Sequence, residues 1–245
     1  MTAEFLLLTD LVLLLRLRLL FADQNAGGAK WLAKGAIEMA AVVLLLEPGR
    51  SWIAGLVLAV VMNLAAWLGE RRGRDRNALQ LILGIAHVVA LSFAVGPAMG
   101  AVFRPWVTEI GATLREGSAL GAALTGLFSL GALKFAFGLL IAANEANLLI
   151  RWVLGRLQLR PGTMAASGID ADEYARGRVI GLLERALIYF FVLNGQFGAV
   201  GFTLAAKGFT RFKELENRGF AEYVLIGTLL SSGIALLVAV ALARI

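Results

Sequence analysis

The chain lacks cysteine altogether and contains a single histidine, His87, among its 245 residues. Without cysteine there can be no disulfide, no thiolate metal site and no cysteine nucleophile. A zinc or iron site would then need carboxylates for nearly all of its ligands, a donor set that suits those metals poorly. The sequence therefore predicts no metal site, no cofactor and no catalytic residues, and the prediction leans away from an enzyme.

Charge is also scarce, because 16% of the residues are charged and 59% are hydrophobic. Soluble domains carry about 25% charged and about 45–50% apolar residues. The chain contains about seven hydrophobic segments, and about 20 apolar residues are enough for a helix to cross a bilayer. Backbone groups in lipid must be hydrogen-bonded internally, which favours helices. The sequence predicts an all-α, polytopic transmembrane helical bundle, with one integral membrane domain over 1–245 and the lipid bilayer as its partner.

The hydrophobic segments are separated by turns and by charged connections. The opening residues, MTAEFLLLTD, have no basic region and no small-residue cleavage site, so we expect a retained helix there. A short surface segment is predicted over 107–118, after the Gly96-Pro97 pair. The predicted spans are 4–20, 31–46, 52–68, 79–103, 119–143, 179–206 and 220–242.

Two hydrophilic connections orient the chain. The loop 69–77 contains four arginines within 71–76, and the connection 156–178 is the longest polar stretch. Cytoplasmic loops of membrane proteins are enriched in Lys and Arg, which places both connections in the cytoplasm of a bacterial inner-membrane protein. The net charge of +6 is explained by such loops, so we do not expect nucleic acid as a partner.

The segment 179–206 allows two topologies. If it crosses the membrane once, the basic segment 207–218 lies outside, against the orientation rule. If instead the helix is broken near 194–198, at Asn194-Gly195-Gln196, a re-entrant pair of half-helices returns that basic segment to the cytoplasm. The sequence leaves both topologies open, and the side of the C-terminus depends on the choice.

Ionisable side chains inside the predicted spans are the candidates for function. Each costs at least a few kcal/mol in lipid, so such groups are usually paired or line a polar path. Asp10 and His87 are two of them. As a purely structural alternative, Lys134 would pair with Glu38 or Asp10, and Glu184 with an arginine. The predicted ion- or solute-binding residues are Glu38, Lys134, Asn144, Glu145, Glu184, Arg185, Asn194 and Gln196.

Three functions fit these residues. The first is a small transporter or channel for ions or solutes that uses intramembrane carboxylates and a lysine. The second is a non-catalytic structural or assembly subunit, in a homo-oligomer or a membrane complex, with small residues such as Gly198 and Gly201, or Gly227 and Ser231, packing helices. The third is a membrane-embedded lipid-modifying enzyme, although no clustered acidic motif or histidine constellation supports it.

A series of charged and glycine positions near the C-terminus carries a family resemblance. They lie at 181–185, 195–196, 199–202, 205–207, 211–212 and 222–231. Over this C-terminal quarter the chain resembles an uncharacterised bacterial family of multi-pass membrane proteins, a domain of unknown function. That family has a His-x-x-x-Asp-Phe-type motif in its first helix, and the nearest equivalent here, 19–24, lacks the histidine. The resemblance implies a multi-pass membrane fold and implies no reaction.

Overall fold

The computed structural model describes residues 2–20, 27–71, 76–158, 171–210 and 218–244. Over these ranges the chain is helical and forms no strand, which confirms the all-helical prediction. A bundle of seven spans is not confirmed. Among the described residues, four helices are long and apolar enough to cross a membrane: Arg50–Gly69, Arg76–Ala94, Leu130–Arg156 and Ala221–Ala243.

The chain divides into two compact units, 1–140 and 141–245. In the first, α1 packs on α2, α4 and α7, α3 packs on α2 and α4, and α5 packs on α6. Its apolar core includes Leu6, Leu46 and Val95, none of which is exposed. The helices are α1 (Ala3–Leu20), α2 (Gly28–Leu45), α3 (Arg50–Gly69), α4 (Arg76–Ala94), α5 (Pro105–Gly117), α6 (Ala119–Gly126) and α7 (Leu130–Leu140).

Helix α4 ends earlier than the predicted span 79–103, because Pro97 lacks an N–H and cannot continue an α-helix. A 3-10 turn, Pro97–Met99, follows the helix. The chain then returns to the end of α2, where the Glu47 N–H donates to the Val102 carbonyl (3.0 Å) and the Arg104 N–H donates to the Leu45 carbonyl (2.8 Å). These bonds join the two ends of the segment that contains α3 and α4.

All but the last residue of the predicted surface segment 107–118 lies within α5, and Trp106, Ile110 and Leu114 form an exposed apolar stripe on that helix. The fifth span, predicted over 119–143, is wrong at its start, since α6 ends at Gly126. A new helix begins at Leu130 because the Ser129 hydroxyl accepts a hydrogen bond from the Ala132 N–H (3.3 Å) and so caps it.

The second unit opens with a π-helical turn, Ile141–Glu145. Within this unit α9 packs on α10 and α11, and α11 also packs on α8 and on the π turn. The helices are α8 (Ala146–Arg156), α9 (Ala171–Leu193), α10 (Phe197–Thr210) and α11 (Arg218–Ala243).

Helices α9 and α10 form a hairpin, so 179–206 is not one continuous helix. Gly195 has φ +68°, a left-handed conformation that glycine adopts without strain. The Asn194 side-chain amide donates to the Phe190 carbonyl (2.8 Å) at the end of α9. On the other side of the turn, the Lys207 ammonium contacts the Glu184 carboxylate, which requires the two helices to run antiparallel.

Several predicted features lie outside the described residues. They are the first-helix motif at 21–24, the core of the arginine loop at 72–75, most of the hydrophilic connection at 159–170 and most of the C-terminal basic segment at 211–217.

Candidate functional site

The first unit contains a buried polar cluster between α2 and α3, which we call the Lys34 cluster: Lys34, Glu38 and Asn63. Each side chain is at most 6% exposed. The Lys34 ammonium donates to one Glu38 oxygen and to Asn63 Oδ1 (3.0 Å). Asn63 Nδ2 donates to the other Glu38 oxygen and to the Ala59 carbonyl (2.7 Å). One ammonium and one carboxylate are therefore held together by an amide that bonds both.

Small residues bring the two helices close enough for this arrangement. A Cβ added at Gly35 would lie 3.5 Å from the Asn63 side chain, and one added at Gly55 would lie 3.2 Å from Val42. Lys34 and Glu38 are four residues apart, so both side chains lie on one helical face. The Trp31 ring, itself buried, lies 5.7 Å from the Lys34 ammonium and encloses it further.

Other buried polar groups lie on α1, α3 and α4 of the same unit. The Arg16 guanidinium donates to the Gln80 carbonyl (2.7 Å), and the Gln80 amide donates to the Ala66 carbonyl (2.7 Å). His87 is buried where the charges of Lys34 and Arg16 both act on it. Asp10 is buried as well, and neither of its oxygens accepts a hydrogen bond from the described residues.

The second unit contains a different polar site, the Arg185 cluster, formed by Arg185, Ser231 and the π turn. The buried Arg185 guanidinium donates from Nε to the Ala142 carbonyl (2.7 Å) and from Nη2 to the Ala143 carbonyl (3.2 Å). Its third nitrogen donates to the Ser231 hydroxyl (3.2 Å). One side chain of α9 thereby ties α11 to the π turn.

The geometry of the π turn suits an arginine as its partner. Hydrogen bonds in a π turn skip one more residue than in an α-helix, which disturbs the carbonyl pairing. A guanidinium offers five N–H groups in a planar fork and can serve several acceptors at once. The same turn carries Asn144, whose amide donates to Glu145 Oε1 (2.9 Å), and both side chains are buried. Single π turns occur frequently at functional sites.

The remaining predicted site residues of this unit lie near the surface. Glu184 and Lys207 pair while each remains 17–19% exposed. Asn194 and Gln196 are exposed at the turn after α9. Asn194 is nine residues beyond Arg185, a distance of about 14 Å along a helix. The turn residues therefore do not join the Arg185 cluster.

The predicted site residues occur in both units. Glu38 belongs to the Lys34 cluster, while Asn144, Glu145 and Arg185 lie in or beside the π turn. Lys134 is half-buried on α7. In the structure Glu38 pairs with Lys34, and Glu184 pairs with Lys207, a lysine and not an arginine. That all eight residues form one binding site stays a prediction.

Sequence reasoning missed five members of these networks: Arg16, Lys34, Asn63, Gln80 and Ser231. The four-residue spacing of Lys34 and Glu38 was a readable signal. The others take partners from distant parts of the chain and left no local pattern. Within the ranges that the structure describes, no three His, Asp or Glu side chains are grouped as metal ligands. Comparisons of the chain with models of protein families, with curated proteins and with solved structures find no match.

Proposed function

We propose that this chain is a multi-pass protein of the bacterial inner membrane that carries a small cation, or a solute with a cationic group, through the Lys34 cluster. The observation that supports this proposal is the enclosed ammonium of Lys34, surrounded by oxygens of Glu38 and Asn63. Carboxylate and amide oxygens are also the ligands of hard metal cations. The lysine therefore occupies the position that a transported cation would take.

Charge balance suggests how the cluster would work. The Lys34–Glu38 pair is neutral as a whole, and adding a second buried cation to it would leave an uncompensated charge, which costs several kcal/mol. An incoming cation must then displace the ammonium from Glu38. Lys34 would release its proton to water as it leaves Glu38, and the entry of one cation would be coupled to the release of one proton.

The α9–α10 hairpin supports the re-entrant topology. Helix α10 has 14 residues, about 21 Å at 1.5 Å per residue, which is short of a bilayer core of about 30 Å. Because α10 runs back along α9, it returns Lys207 to the side from which α9 starts. In this topology 207–218 is cytoplasmic, as the orientation rule expects, and α11 then carries the C-terminus to the opposite side.

The test is cation-driven proton flux in proteoliposomes that contain a pH-sensitive dye. Glu38→Gln should lower the flux at least about tenfold, because a charge-assisted hydrogen bond contributes about 1.5–3 kcal/mol. Glu109→Gln, on the exposed face of α5, is the matched control and should leave flux unchanged. Thermal unfolding in detergent checks that both variants fold. The proposal fails if wild-type vesicles show no more flux than empty ones under any of the sodium, potassium or ammonium gradients.

A structural or assembly subunit is the second candidate, and one observation favours it. Gly198, Gly201 and Gly208 of α10 are exposed, and a Cβ added at any of them would meet no other helix of the described residues within 4 Å. Small residues of this kind allow another helix to approach closely. For such a subunit, Gly201→Leu should reduce the oligomeric mass in detergent, whereas Gly126→Leu, at an equally open site in the other unit, should not.

A further inference from the structure

A surface groove with a volume of about 540 Å³ runs between α3 and α4. Three alanines, at 54, 90 and 94, belong to its lining and are less exposed than the larger neighbours Ile53 and Val57. The short alanine side chains on both helices leave a space, and the larger side chains stand on either side of it. The groove therefore follows from alanine positions where two long apolar helices meet.

One end of the groove is charged. Arg50, the first residue of α3, is the single charged residue that lines it. Its guanidinium is exposed and makes no hydrogen bond or ion pair with the described residues. The residue that precedes it, Gly49, caps α3 without a side-chain hydrogen bond. The start of a helix carries partial positive charge, which adds to that of the arginine.

The dimensions indicate the ligand. From Arg50 to Val61 the groove follows α3 over eleven residue steps, about 17 Å at 1.5 Å per residue. One leaflet of the hydrocarbon core is about 15 Å thick, half of about 30 Å. An apolar groove of one-leaflet length that ends at an unpaired cation matches a lipid chain with an anionic headgroup. Free phosphate would contact only the arginine and would leave the apolar part of the groove empty.

We propose that this groove is a binding site for one anionic phospholipid, with an acyl chain along α3 and α4 and the headgroup phosphate at Arg50. The apolar walls hold the chain and the arginine selects the charge. The site lies on the outer face of the two helices and uses none of the residues of the Lys34 cluster, so it is independent of the transport proposal.

The test is a titration of delipidated protein with phosphatidylglycerol or phosphatidylcholine of identical chains, followed by native mass spectrometry. The wild type should bind one phosphatidylglycerol about ten- to a hundredfold more tightly than phosphatidylcholine, as expected for one charge-assisted contact. Arg50→Gln should remove this preference, whereas Arg115→Gln, an exposed arginine on α5, should keep it. Ala90→Phe should weaken the binding of both lipids, because the larger side chain fills the groove.

Val89→Phe is the matched control for Ala90→Phe, because Val89 is exposed on α4 beside Ala90 but does not line the groove. A second measurement is the melting temperature with excess lipid, since a ligand of the folded state raises it. Glycerol phosphate, a headgroup without chains, should give no shift. Equal affinity of the wild type for both lipids, retention of the preference in Arg50→Gln, or a shift with glycerol phosphate alone would overturn the proposal.

Discussion

Replacing Arg185 with methionine tests whether the π turn depends on its arginine. Methionine keeps much of the length and apolar volume of the side chain but donates no hydrogen bond. The variant therefore removes the donors to the carbonyls of Ala142 and Ala143 and to the hydroxyl of Ser231. Both alanines are buried, so water cannot replace the lost donor at little cost.

The magnitude follows from these three contacts. A hydrogen bond from a charged group contributes about 1.5–3 kcal/mol, and a buried acceptor left unpaired costs about 1–3 kcal/mol. The substitution also removes the free-energy cost of burying the charged guanidinium, and this gain offsets several kcal/mol of that loss. We expect a net destabilisation of about 3 kcal/mol. Ser231→Ala removes one neutral acceptor and should cost about 1 kcal/mol.

Two measurements check this prediction. The first is the free energy of unfolding in mixed micelles, with Arg244→Met as the control because Arg244 is exposed near the end of α11. The second is amide hydrogen exchange over 141–145, which should accelerate in Arg185→Met and not in the control. If Arg185→Met lies within about 1 kcal/mol of the control, or if exchange in the π turn is unchanged, the arginine does not hold the turn.

Three further predictions concern other contacts. Asp10→Asn should lower the free energy of unfolding by less than about 1 kcal/mol, or should raise it, because neither Asp10 oxygen accepts a hydrogen bond from the described residues. A loss above about 2 kcal/mol would reveal a partner of the carboxylate. Gly121→Ala should destabilise by about 2 kcal/mol or more, because its Cβ would lie 1.9 Å from a carbonyl oxygen of α5; Gly126→Ala, with open space around it, is the control, and equal effects in melting experiments would contradict the packing. A double-mutant cycle of Glu184→Gln and Lys207→Gln should give a coupling free energy of about 1 kcal/mol, and a coupling near zero would argue against the antiparallel hairpin.

Local chemistry made part of the fold predictable. The apolar composition gave the helical class, and Pro97 marked a helix end, although the predicted span was carried past it. The break at Gly195 could be considered from the sequence because glycine there has no side chain to favour a continuous helix. The antiparallel arrangement of α9 and α10 could not be predicted, because the contact of Lys207 with Glu184 joins residues far apart along the chain.

The site was less predictable for the same reason. The residues of the π turn, IAANE, fit an α-helix as well by composition, and the residue that stabilises the turn, Arg185, lies 43 residues from Ala142. Likewise Asn63 binds Lys34 from a different helix, 29 residues away along the chain.

The backbone hydrogen bonds that join residues 45–47 to 102–104 hold the two ends of the intervening segment side by side. Residues inserted within this segment therefore leave its two ends joined where they are. Evolution, or an engineer, can therefore alter the exposed surface of α3 and α4 without re-routing the chain on either side.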